Sequence, residues 1–267
     1  MRLSIKYNLF PWVLLIGFSS SIVSCDRNYS CQHSGEEQRI PLVGDLSTEQ
    51  EIEEYADSIN LLLSSCEEKT SMVYTLNTYT FQVRKFVHNG ETVLYSERGD
   101  NGEYGSIHRL YFIKDDMPVL LKEKSVNKNN LKPFRYTHVY FHGGKAFHSE
   151  YKTGSTALTI QKVPFESSSA YIDHSLALET YEDALNQRRK FDLVFEGITE
   201  CPKAKYLILS RKEINSYRAP VKVEKEDEFI RELCSNPMRY RGEKLEINWS
   251  TNGSEIVYAK GRLKNRD

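Results

Sequence analysis

The chain has 267 residues, and its 36 lysines and arginines nearly balance its 37 aspartates and glutamates, leaving a formal net charge of −1 and a pI near 6.7. That balance offers no basic footprint for phosphate backbones, so no nucleic-acid partner is expected. Hydrophobic residues at 39% and charged residues at 27% are enough to build a core, and seventeen tyrosines favour half-buried strands, where the ring packs and the hydroxyl stays wet.

At the N-terminus Arg2 and Lys6 precede an apolar run from Leu9 to Phe18 that ends in Ser19-Ser20-Ser21. The run is too short for a bilayer core of about 30 Å, which takes roughly 20 apolar residues. Its length and flanks are those of a secretory signal peptide, read over residues 1–24. Ile22-Val23-Ser24-Cys25 then resembles the lipobox of bacterial envelope lipoproteins. The resemblance implies cleavage before Cys25, acylation of its thiol (palmitate or a similar chain), and an exported protein held on a membrane by lipid rather than by a helix. Each buried CH₂ contributes about 0.8 kcal/mol, so two or three chains anchor firmly. The alternative is a secreted protein cleaved nearby, with Cys25 left for a disulfide. Residues 25–46 are polar and aperiodic and read as a lipidated tether, whose greatest reach at ~3.3 Å per residue is about 60–70 Å.

A helix is predicted next. Ser47 stands as N-cap with Gln50 completing a capping-box pattern, and Ile52, Tyr55, Ala56, Ile59, Leu62, Leu63 and Cys66 recur at three- and four-residue steps. From Val73 the period shortens to two. Three units each join strand-like runs through a turn dipeptide: Asn89-Gly90, Asp115-Asp116 and Gly143-Gly144. Such dipeptides tolerate the positive φ that tight hairpins require, so an antiparallel meander of about six strands is predicted, with the first helix packed on it. Residues 166–190 read as a helical connector.

Beyond it, strand-like runs at 191–198, 205–210 and 220–223 precede a short helix at 226–234, which Asn236-Pro237 stops. Leu245-Ile247-Trp249 then alternates with polar neighbours, and 255–260 gives a last strand. Three strands, a helix and two strands is the element order of the OB-fold, and the segment resembles that barrel in order and length, without a diagnostic motif. The fold class expected is α+β and β-rich: a helix on an antiparallel β-meander over 47–165, the connector over 166–190, and a small OB-like five-stranded barrel module over 191–267. Trp249 is placed in that module's core.

Chemistry-bearing motifs are few. Besides Cys25, the cysteines are Cys31, Cys66, Cys201 and Cys234. An even number in an exported chain suggests disulfides. Cys201 and Cys234 are the candidate pair because they lie in one segment, and Cys66 is the candidate free thiol. Gly99, Gly102 and Gly105 have the wrong spacing for a nucleotide fingerprint. His138, His142 and His148 crowd one hairpin and are weak metal candidates. A two-residue Gly143-Gly144 turn pairs Val139 with His148 and leaves His148 on the face opposite the other two, so no metal and no cofactor is expected. The function these features imply is non-catalytic binding or scaffolding at the cell envelope, for an apolar, glycan or protein ligand. The alternative is a divergent hydrolase using carboxylates such as Glu97, Asp115 and Glu150, and it requires acid–base groups to converge in one pocket. Oligomeric state is not legible.

Overall fold

The computed structural model describes residues 46–264, apart from 170–174, 203, 212, 214 and 253–254. The expected signal peptide, the lipidation candidate Cys25, Cys31 and all but the last residue of the expected tether lie outside the described residues.

The first helix, α1 (Glu49–Leu62), starts one residue later than expected. Thr48 is the N-cap, and Glu51 closes the capping box, accepting from the backbone N–H groups of Ser47 and Thr48 at 2.9 Å each. Those donors hold the Glu51 carboxyl down at about 2. The apolar stripe is as read: Ile52, Tyr55, Ala56, Ile59 and Leu62 are buried. Ile52 and Ile59 are fully enclosed, a burial worth about 1.5–3 kcal/mol each.

The meander is α1's platform. After β1 (Glu67–Thr70) and β2 (Tyr74–Leu76) come three long hairpins: β3 (Tyr79–His88) with β4 (Glu91–Asp100), β5 (Gly105–Lys114) with β6 (Met117–Asn127), and β7 (Phe134–His142) with β8 (Lys145–Gly154). A two-residue β9 (Glu166–Ser167) pairs with β8. All three turns are the expected dipeptides, with φ of 52° and 84° at Asn89 and Gly90, 51° and 59° at Asp115 and Asp116, and 54° and 75° at Gly143 and Gly144. Positive φ at both central residues gives a turn whose twist matches the strands it joins.

Side chains alternate between the two faces of this sheet. On the near face Phe86, Val93, Leu94, Phe112, Leu120 and Tyr140 pack against α1. On the far face Phe81, Val83, Tyr95, Tyr111, Leu121 and Val139 enter a second cluster with Tyr181, Ala184 and Leu185 of α2 (Ser175–Leu185).

The C-terminal elements keep the expected order: β10 (Val194–Cys201), β11 (Ala204–Ser210), β12 (Arg218–Val223), α3 (Glu228–Ser235), the single turn α4 (Pro237–Tyr240), β13 (Leu245–Asn252) and β14 (Glu255–Leu263). β10, β11 and β12 form a meander, β12 meets β14 in parallel at Lys222 and Val257, and β13 lies antiparallel to β14. Two backbone hydrogen bonds tie Phe195 of β10 to Gly242 and Glu243, at 2.8 and 2.9 Å. No ladder joins β10 to β13 among the described residues, so the barrel-like arrangement is left open there.

The fold is therefore α+β and β-rich with a mainly antiparallel sheet, but the two-module division needs correcting. β2 pairs with β12 through Thr75 and Arg218, so one fourteen-stranded sheet runs through both halves. Phe195, Leu207, Leu209 and Val221 share the far-face cluster with Phe81 and Tyr111. The segment expected to be a connector supplies α2, whose Tyr181, Ala184 and Leu185 belong to the same core. Trp249 is corrected too. Leu245 and Ile247 are buried, but Trp249 only packs half-exposed on the cluster's margin, where the register slips between Asn248 and Trp249.

Candidate functional site: an open cationic groove on the near face

Helix α1 covers only the hairpin-turn end of the near face. Cross-strand ranks can be followed away from it. The rank Leu94, Phe112, Leu120, Tyr140 is apolar or aromatic and lies under α1. The next, Ser96, Leu110, Lys122, His138, Glu150, carries charge that Glu53 of α1 meets. Glu53 bonds Lys122 Nζ at 2.5 Å, accepts from Tyr140 OH at 3.0 Å and stands 3.5 Å from His138 Nδ1, while Glu150 is 3.3 Å from the same nitrogen. Burial holds the His138 imidazole below its ordinary range in spite of Glu53.

The third rank is Gln82, Arg98, His108, Lys124, Tyr136, Lys152, and among the described residues no helix covers it as α1 covers the first. It crosses an open cavity of about 570 Å³ that is also lined by Arg84, Asp100 and Phe134 and reached by Thr251 near the tip of the β13–β14 hairpin. Ligand sites are commonly concave and of this size. His108 is half-buried, with Nε2 3.2 Å from Ser96 Oγ. Burial, then the charges of Arg98, Lys124 and Arg84, push its pKa down. The ammonium groups of Lys124 and Lys152 stand 5.4 and 5.8 Å from the Tyr136 ring centre, and Lys152 also lies 4.4 Å from that of Phe165. The surface is cationic with an aromatic floor.

The far face carries the most enclosed charge among the described residues. Glu97 is 4% exposed and accepts from Tyr79 OH and Tyr181 OH, both at 2.5 Å, and from Arg109 at 3.0 Å, while Arg109 also donates to Glu123 at 2.8 Å. Glu97, Arg109 and Glu123 are directly paired across β4, β5 and β6, so charge alternates along that rank. Burial and Glu97 raise the pKa of both tyrosines well beyond the usual phenol range, which keeps them protonated donors. Gly99 makes room for this. A Cβ there would lie 2.0 Å from Tyr79 OH. The cluster joins α2 to the sheet and leaves Glu97 no open approach.

The residues singled out from sequence are not brought together. Glu97 and Glu150 lie on opposite faces, and Asp115 occupies the β5–β6 turn. The histidine register is corrected by a bulge at Phe147, which pairs Tyr140 rather than Val139 with His148. All three histidines therefore share the near face, where His138 engages Glu53 and Glu150, His148 stands 3.8 Å from Glu49, and His142 is exposed beside the turn. Among the described residues no three histidine, cysteine or acidic side chains are placed to hold a metal ion. Cys66, Cys201 and Cys234 are free thiols. Strand alternation explains why Cys201 and Cys234 are unbridged. The Glu200–Lys205 pair lies on one face of the β10–β11 hairpin, where Lys205 Nζ approaches Cys234 at 3.7 Å, and Cys201 points to the other.

Arg98, His108 and Lys124 escaped the sequence reading, because nothing marks them until three strand registers are known. Their only signal is parity: each lies an odd number of residues from a neighbour on the opposite, far face, in three consecutive strands. Among the described residues no helix is long and apolar enough to cross a membrane. Compared with known proteins, the chain matches no family model, no curated protein and no solved structure.

Proposed function

We propose that this is a lipid-anchored protein of the bacterial cell envelope, exported and held by acyl chains on Cys25, that binds a ligand non-catalytically in the near-face groove. The observation behind the binding reading is the rank from Arg98 to Tyr136 lining an open cavity, beside ranks of the same sheet that α1 covers. The anchoring reading rests on the Ile22-Val23-Ser24-Cys25 pattern behind a short apolar run. Binding is favoured over hydrolysis because Glu97 is saturated by donors, and Glu150 and Asp115 lie apart from it.

Two experiments test the two parts. Cys25→Ala should move the protein out of the membrane fraction or leave it as precursor, and abolish labelling by an alkynyl fatty acid. A wild-type chain that takes up no label would refute the anchor. For the groove, amide and ring NMR shifts of the full chain are followed against a panel of small apolar, anionic and sugar compounds. Perturbations should centre on Arg98, His108, Lys124 and Tyr136. Binding that maps only elsewhere, or none across the panel, would refute the groove as the site.

A further inference from the structure

Resting on that groove reading, we infer the chemical class of its ligand: a tetrahedral oxyanion, phosphate or sulfate, esterified to an apolar or ring-shaped body. The anion is placed between Arg98 and Lys124, over His108, and the body on Phe134 and Tyr136.

Directly opposed residues on one sheet face sit about 5 Å apart, and like charges there are destabilising. Elsewhere in the sheet such cations are met by acids: Lys85, directly opposite Lys69, is bonded by Glu182 at 2.7 Å. On the far face Glu97, Arg109 and Glu123 alternate in sign, and on the near face Lys122 and His138 are met by Glu53 and Glu150. In the groove rank Arg98 and Lys124 stand on either side of His108, two strands apart, and Lys152 follows beyond Tyr136. Neither Arg98 nor Lys124 has a carboxylate at ion-pair distance among the described residues. The cavity wall sets Arg84, Arg98 and Lys124 against two acids: Glu68 lies 3.6 Å from Arg84, and Asp100 accepts from the backbone N–H of Gly102 at 2.6 Å and keeps its charge, so the cations stay in excess.

A compact oxyanion supplies the missing charge. Guanidinium and ammonium groups converging on one phosphate make charge-assisted hydrogen bonds, roughly twice as strong as neutral ones, and the planar guanidinium binds through two N–H groups at once. His108 adds a third donor, and a bound anion favours its protonated form. A bare anion leaves the aromatic floor uncovered, and for that reason the ligand is assigned a body as well as a charge.

Isothermal titration of the full-length protein in uncharged detergent tests this, with hexyl phosphate, hexanol and soluble dihexanoyl phosphatidylglycerol as probes. Hexyl phosphate should bind at least about tenfold tighter than hexanol, a difference of roughly 1.4 kcal/mol. The double variant Arg98→Ala/Lys124→Ala should lose at least that factor, Lys124→Arg should retain most of the affinity, and Lys145→Ala at the distant β7–β8 turn should change nothing. Both altered residues are exposed, so the fold is preserved, and circular dichroism checks it. Binding of hexyl phosphate alone assigns a small soluble ester, and equal binding of the phosphatidylglycerol assigns a lipid headgroup. Hexanol binding as tightly as its phosphate, or a double variant that binds hexyl phosphate unchanged, overturns the anion assignment and leaves the groove standing. No heat from any probe, with no NMR shift in the groove, overturns both.

Discussion

Removing the Glu97 carboxylate probes the joint between α2 and the sheet. In Glu97→Ala, the hydroxyls of Tyr79 and Tyr181 lose a charged acceptor at 2.5 Å, and Arg109 loses one of its two carboxylates. Hydrogen bonds to charged groups contribute about 1.5–3 kcal/mol each, and breaking a buried ion pair from one side costs about 3–5 kcal/mol. Arg109 keeps Glu123 at 2.8 Å and is 32% exposed, so it is not stranded as a buried charge and the second range does not apply. The two tyrosines, 3% exposed at Tyr181 and partly buried at Tyr79, then set a total near 3–4 kcal/mol. At about 2–4 °C per kcal/mol for a domain of this size, the melting temperature should fall by roughly 6–16 °C. Urea unfolding followed by circular dichroism measures the free energy directly. Pairing Glu97→Gln with Tyr181→Phe in a double-mutant cycle should give a coupling of about 0.5–3 kcal/mol. A loss under about 1 kcal/mol in Glu97→Ala would show that the cluster does not hold α2 on the sheet.

Two further outcomes follow from the same geometry. Trp249→Ala should cost about 1.5–3 kcal/mol, less than the 3–5 kcal/mol of an enclosed aromatic, while Asn248→Ala should stay within about 0.5 kcal/mol; because one sheet spans both halves, urea unfolding of Trp249→Ala should remain a single transition, and a separate C-terminal step would refute the continuous core. Burial raises the Glu182 pKa, but hydrogen bonds from Lys85 and Tyr95, with the Lys85 charge, outweigh it and leave the carboxyl below its ordinary value. A depressed folded pKa stabilises above the unfolded value of about 4.3 and loses that contribution as pH falls through the folded one. Urea midpoints at pH 7 and pH 3 should therefore differ less in Glu182→Gln than in the wild type, and equal differences would refute the linkage.

Local features of this fold are legible in the amino-acid order because they rest on neighbours in the chain. The stripe Ile52 to Leu62 marks α1, and the three positive-φ dipeptides mark the hairpins. The strand–helix–strand order of the last 75 or so residues is set by alternation and by Pro237. What is not legible depends on partners distant in sequence. A single bulge residue, Phe147, carries His148 to the other face, and no local signal separates a bulge from regular alternation. The edge of β2 joins β12 across some 140 residues, which converts two expected modules into one sheet. Cys201 and Cys234 are near in sequence, but alternation sends Cys201 to the wrong face of its hairpin. The groove is invisible for the same reason. Arg98, His108 and Lys124 become a cluster only when three registers place them in one rank.

On the proposed reading the groove carries an excess of positive charge that takes up a ligand's negative charge, and His108 sits within it. Its surroundings are Arg98, Lys124 and Arg84 on the cationic side, Glu68 and Asp100 in the wall, and Ser96 at 3.2 Å. The direct measurement is an NMR titration of the His108 ring, with and without saturating hexyl phosphate. In the free protein, burial and the three cations should hold its pKa below the ordinary value of about 6.5, and the bound anion should raise it. A His108 that titrates at or above that value in the free protein, or whose titration does not move when the probe is added, would contradict the claim.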